Sequence, residues 1–137
     1  MKGEVGSRIV CACVATALAM LAVSLLHAQG DPAAGQVVFD QKCASCHSVA
    51  ADLTHGLLGP NLVGVVGRTA GTVQGWDFSQ ALKDSKVVWT EENLNKWLTD
   101  TTAFVPMAQM DLKMPNRIER EDVIAYLNSL KPKERGN

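Results

Sequence analysis

FDQKCASCHSVA, residues Phe39 to Ala50, holds two of the chain's four cysteines three positions apart, with one of its three histidines directly behind them. What comes before this stretch suggests how it is folded. Asp31 followed by Pro32 supplies an N-cap acceptor and a proline at the first helical position, and predicts a helix over residues 32–45. On such a helix or its last turn, Cys43 and Cys46 project toward one side, and His47, four residues after Cys43, joins them. Three donors would then converge.

The pattern continues outward from there. Between Gly56 and Gly75 stand six glycines and Pro60, which argues for an irregular, folded-back segment. Phe78 to Lys83 reads as a short helix. Thr90 caps EENLNKWLTD, where Leu94, Trp97 and Leu98 fall on one face. Asn116, with Glu119 three residues later, opens NRIEREDVIAYLNSL as a capping box, with Val123, Leu127 and Leu130 along one side and Pro132 ending it. No alternating strand pattern and no internal repeat is present, so the fold class is all-α.

The chain has 137 residues, 47% of them hydrophobic, enough for one domain and too few for two. Its first residues read as an export signal. Lys2 and Arg8 precede the uncharged run Ile9–Leu26, with small residues after it and cleavage expected after Ala28. The alternative is that the segment stays on as a membrane anchor. Either way the domain is residues 29–137, and Cys11 and Cys13 count as small apolar residues of the leader. Removing residues 1–28 takes Lys2 and Arg8 from 13 basic residues and Glu4 from 14 acidic ones, leaving 11 against 13. A mildly acidic domain without a basic stripe is no nucleic-acid binder.

Several chemistries use clustered cysteine and histidine. A thioredoxin-type dithiol wants a preceding strand in a βαβ unit, and none is predicted. A zinc site wants further ligands, and the domain offers only His55. A disulfide suits an oxidising compartment but gives His47 no role. The remaining reading is one covalently attached haem: the sulfurs of Cys43 and Cys46 add to its vinyl groups and His47 is the proximal iron ligand. A flat apolar cofactor also accounts for the glycines, which let backbone pass close to it. With only seven aromatic residues, the domain would depend on haem for much of its core, and the apo-protein should be poorly folded. Met107, Met110 and Met114 are candidates for the sixth ligand, and spacing does not choose among them. His55 reads as structural, hydrogen-bonded to a loop carbonyl.

From Gly30 to Leu130 the chain resembles class I cytochrome c, the mitochondrial type and its bacterial relatives in respiratory and photosynthetic chains. GDPAAGQVVFDQKCASCH is similar to that family's first helix and haem motif, with Gly35 and Phe39 where it packs against the terminal helix. GPNLVGVVGR resembles its proline loop, which implies that the carbonyl of Pro60 accepts a hydrogen bond from His47. VVWTEENLNKWL and EREDVIAYL are similar to the segments that place a tryptophan, here Trp89, against a haem propionate and a tyrosine, here Tyr126, at the helix crossing. The resemblance implies Met110 as the axial methionine and Arg68 as a propionate partner, with Leu62, Trp97, Leu98 and Leu127 packing the pocket. The chain departs from the family at Phe78, Leu82 and Ala108, where polar groups near the haem are usual, and it lacks most of the lysines that ring the haem edge. Lys42 remains.

His47 and Met110 together would fill both axial sites, leaving a shuttle rather than a catalyst. The expected function is a monomeric periplasmic electron carrier between a respiratory or dehydrogenase donor and a terminal acceptor, touching a membrane only if the leader is retained. Two alternatives belong to other classes: a fixed or anchored haem subunit of a larger redox complex, and a haem enzyme with an open iron site.

Overall fold

The computed structural model describes residues 30–130. The proposed leader and Pro132 lie outside that range. Five helices follow one another: α1 (Pro32–Lys42), α2 (Gln80–Ser85), α3 (Glu91–Thr99), α4 (Thr101–Phe104) and α5 (Arg117–Ser129). Among the described residues there is no strand, only an isolated antiparallel bridge between Thr69 and Val88.

The first and last helices cross. Asp31 caps α1 by accepting the Ala33 amide at 2.8 Å, and its own amide donates to the Asp122 carboxylate on α5 at 2.8 Å. Gly35, Val38 and Phe39 form the buried face of α1, and Arg120, Val123, Ile124 and Leu127 that of α5. The helices approach so closely at Gly35 that a Cβ there would run into the Asp122 carbonyl and the Tyr126 Cβ. Glycine at this position permits the crossing.

α5 is tied in through its first turns. Asn116 accepts the Ile118 amide at 3.0 Å. The other half of the expected capping box is replaced, since Glu119 pairs with Lys42 at 3.4 Å. Arg120, a buried cation, donates from Nη1 to the Met114 and Pro115 carbonyls and from Nε to Asn95 on α3, so its polar atoms are hydrogen-bonded rather than stranded.

Three helices differ from the sequence reading. α1 stops at Lys42, not residue 45: Cys43 and Ala44 both donate to the Phe39 carbonyl, and Cys46 and His47 both donate to that of Cys43. This tight turn leaves the regular ladder. α2 starts two residues late because Ser79 supplies its cap, accepting the Leu82 amide at 3.3 Å. α4 is unforeseen. Asp100 closes α3 and its carboxylate accepts the Ala103 amide at 3.0 Å, opening a further turn.

Candidate functional site

A cleft of about 350 Å³ runs between the turn after α1, the glycine-rich loops, α3 and the segment after α4. Cys43, Cys46, His47, Pro60, Arg68, Trp89 and Met110 all line it. The apolar walls include Leu62, Leu94, Trp97, Leu98, Val123 and Leu127.

The turn that ends α1 sets the first three residues. Cys43 is buried and Cys46 half-buried, and the two are not joined in a disulfide. Burial, reinforced by the neighbouring Cys46 and partly opposed by Lys42, pushes the Cys43 thiol up to about 11 before any covalent attachment. Convergence of the three donors on one ion does not occur: among the described residues no three His, Cys, Asp or Glu side chains gather into a metal-holding group. Two sulfurs and an imidazole along one wall suit a large body gripped at separate points better than a zinc ion.

His47 is held from behind. Its Nδ1 donates to the Pro60 carbonyl at 2.9 Å, which leaves Nε2 with the lone pair. A side chain on Gly59 would collide with the ring, so glycine lets the loop lie flat against the imidazole. Burial lowers the proton affinity of His47, with the Pro60 bond acting in the opposite sense. The ring is therefore a neutral donor, the form that binds a metal.

The methionines separate on burial. Met107 is 87% exposed and Met114 only 2%, and neither lines the cleft. Met110 does. Its segment is fastened by Thr101, which has no exposed surface and whose hydroxyl donates to the Met110 carbonyl at 2.8 Å and accepts the Leu112 amide at 2.9 Å.

Arg68 and Trp89 meet through their backbones. Trp89 donates to the Arg68 carbonyl at 2.9 Å and its own carbonyl accepts the Gly67 amide at 2.9 Å, so the bridge puts both residues at the cleft. The Arg68 guanidinium donates to the Val63 and Asn61 carbonyls, each at 3.2 Å, and burial lowers its pKa. An ordinary solvated arginine would have neither feature. His55 is structural, as expected: Nε2 donates to the Gln74 carbonyl at 3.1 Å and Nδ1 accepts the Asn61 amide at 3.1 Å.

Phe78, Leu82 and Ala108 line the cleft as apolar groups. Thr69, Trp76, Ser79 and Gln109 also line it and were not anticipated. Asn61 was missed as well. It is 2% exposed and knits the loop, donating to the Ala50 and Thr54 carbonyls at 3.0 Å each and accepting the Val63 amide at 2.8 Å.

Sulfur, neutral imidazole and thioether around an apolar cleft match the donor set of a covalently held haem. The comparisons agree with this. Residues 32–131 match the family model described as Cytochrome c. Cytochrome c 2.1 of Caenorhabditis elegans is 41% identical over 99 residues, covering 72% of this chain and 87% of that protein. Cytochrome c2 iso-2 of Rhodospirillum centenum is 38% identical over 120 residues, covering 75% and 98%. Cytochrome c2 of Rhodoblastus acidophilus is 39% identical over 103 residues, covering 74% and 94%. The chain belongs to the cytochrome c family, an electron carrier rather than an enzyme, with one haem c bound covalently through Cys43 and Cys46.

Proposed function

We propose that this cytochrome c is a freely diffusing periplasmic carrier, taking electrons singly from a respiratory or dehydrogenase donor and delivering them to a terminal acceptor. The observation that carries the reading is that His47 and Met110, from two distant segments, line the same cleft as the cysteine pair. His47 through Nε2 and Met110 through its sulfur would hold the iron of the bound haem. The bound group supplies a reversible one-electron iron couple, and thioether ligation favours its reduced state.

The chain's own residues do the rest. Cys43 and Cys46 fix the group's position, and the Pro60 carbonyl keeps the His47 ring in one tautomer and orientation. Leu94, Trp97, Leu98 and Leu127 exclude water from the interior. Arg68 and Trp89, which line the cleft, would meet the haem carboxylates, and the guanidinium would lower the cost of burying their negative charge. With His47 and Met110 both supplied by the chain, the bound iron would keep no open site for oxygen or peroxide.

The surface favours weak, transient partners. Lys42, Lys83, Lys96 and Lys113 each lie beside a carboxylate, at 3.4, 3.1, 2.6 and 2.8 Å. Charges paired within one surface steer an acidic partner poorly. Among the described residues no helix is long and apolar enough to cross a membrane.

Expression with a c-type maturation system, followed by fractionation and intact mass, tests the reading. The expected product is residues 29–137 plus one haem in the soluble periplasmic fraction, with a reduced form that does not take up carbon monoxide. A species that keeps residues 1–28 and sediments with membranes would establish the anchored alternative. Ready carbon monoxide binding would establish an open iron site.

A further inference from the structure

Thr101 is a polar residue with no exposed surface, and every hydrogen bond of its hydroxyl goes to one segment. Oγ1 donates to the Met110 carbonyl at 2.8 Å, accepts the Leu112 amide at 2.9 Å, and lies 3.3 Å from the Leu112 carbonyl. The Thr101 amide also donates to the Leu112 carbonyl, at 3.1 Å. As the first residue of α4, Thr101 has an amide with no partner inside that helix, and this amide is spent on the same segment. The backbone on both sides of Asp111 is thus tied to one side chain and its own N–H.

We propose that Thr101 is a positioning residue for Met110: it clamps the 110–112 backbone so that the Met110 sulfur stays in the cleft. The proposal rests on the reading of Met110 as an axial ligand. A hydroxyl suits this place because it donates and accepts at once, and serine shares that property whereas valine and alanine do not. Proline would also lose the amide bond to Leu112. The anchor is itself rigid. Thr101 follows Asp100, whose carboxylate accepts the Ala103 amide at 3.0 Å and pairs with Lys113 at 2.8 Å, and Phe104 of the same helix packs edge-on to Trp97. Any exogenous ligand that replaces the Met110 sulfur must move a segment fastened at three backbone groups.

The test uses ferric holoprotein and imidazole as the competing ligand. Losing the clamp raises the population of the state with Met110 withdrawn, so Thr101→Val should bind imidazole about tenfold more tightly than the parent. It should also weaken the thioether-to-iron absorption and lower the reduction potential. Thr101→Ser should restore imidazole affinity to within about twofold. A valine variant that melts earlier but keeps the parent's absorption and imidazole affinity overturns the proposal, because the threonine is then only a packing element. If the valine variant yields no holoprotein, Thr101→Ala and Thr101→Ser decide as a pair, and equal imidazole affinity in the two overturns it. Met110→Ala is made alongside. If that change leaves the iron spectrum as it was, the ligand assignment itself has failed and the clamp falls with it. If Met110→Ala alters the spectrum and Thr101→Val does not, only the clamp has failed.

Discussion

The ring of Phe39 lies 5.6 Å from that of Tyr126, tilted by 56°, one turn along α1 from the point where Gly35 meets Asp122. This contact and the glycine gap are two parts of one crossing, and each can be tested separately. Phe39→Ala should cost about 3–5 kcal/mol, by removing a buried aromatic ring, and Gly35→Ala about 1–3 kcal/mol, by overpacking. Val37, 54% exposed on the same helix, is the control, and its replacement by alanine should stay within about 0.5 kcal/mol. Denaturant unfolding of the holoprotein measures all three.

The three methionines should give three different phenotypes. Met110→Ala should change the iron spectrum and lower the reduction potential, as loss of a thioether ligand requires. Met107→Ala should leave both unchanged, since that side chain is in solvent. Met114→Ala should keep the spectrum and potential while destabilising the fold by about 2–5 kcal/mol, the cost of a buried cavity. Spectra, voltammetry and denaturation on the same three samples separate these outcomes.

Asp100 should give an acid limb to the stability curve. Its carboxyl is pulled from 3.8 to about 2, first by the hydrogen bond from Lys113, then by the Ala103 amide and the Thr102 hydroxyl. A carboxyl whose pKa is lower in the folded state stabilises fully above its unfolded value, and that contribution fades as pH falls through the folded value. Wild type and Asp100→Asn should therefore differ most above about pH 4 and converge toward about pH 2. Denaturation at a series of pH values measures the gap, and a gap that stays constant across this window would contradict the assignment.

Salt should matter little to electron exchange. With Lys42, Lys83, Lys96 and Lys113 each near a carboxylate and the domain mildly acidic, the rate of oxidation by anionic hexacyanoferrate should change less than about twofold between roughly 20 and 200 mM salt. Stopped-flow measurement against a cationic cobalt complex provides the comparison. A steep fall in the hexacyanoferrate rate with salt would reveal a cationic docking face.

Local rules made part of this molecule readable from the chain alone. Asp31–Pro32, Thr90 and Asn116 are N-caps, and a cap acts within three residues, so the starts of α1, α3 and α5 could be placed from sequence. The cysteine pair and His47 were equally local. α4 was not readable, because four residues hold no periodicity and Asp100 serves two helices at once. Asn61 and Thr101 were invisible for a different reason: their partners sit up to 13 residues away across loops, where spacing carries no signal. Met110 was chosen by resemblance, and only its place on the cleft wall separates it from exposed Met107 and fully buried Met114.

The bond from Asp31 to Asp122 joins positions 91 apart, so the polypeptide is cinched into a ring almost as long as the domain. Closing such a ring costs about 4 kcal/mol of chain entropy, while doubling the contour adds only about 0.6 kcal/mol. The expense lies in bringing the ends together, and it hardly depends on how much backbone hangs between them. Relatives of this carrier can therefore lengthen or trim the intervening loops, and so reshape the surface offered to new donors and acceptors, with little thermodynamic penalty for the clasp itself.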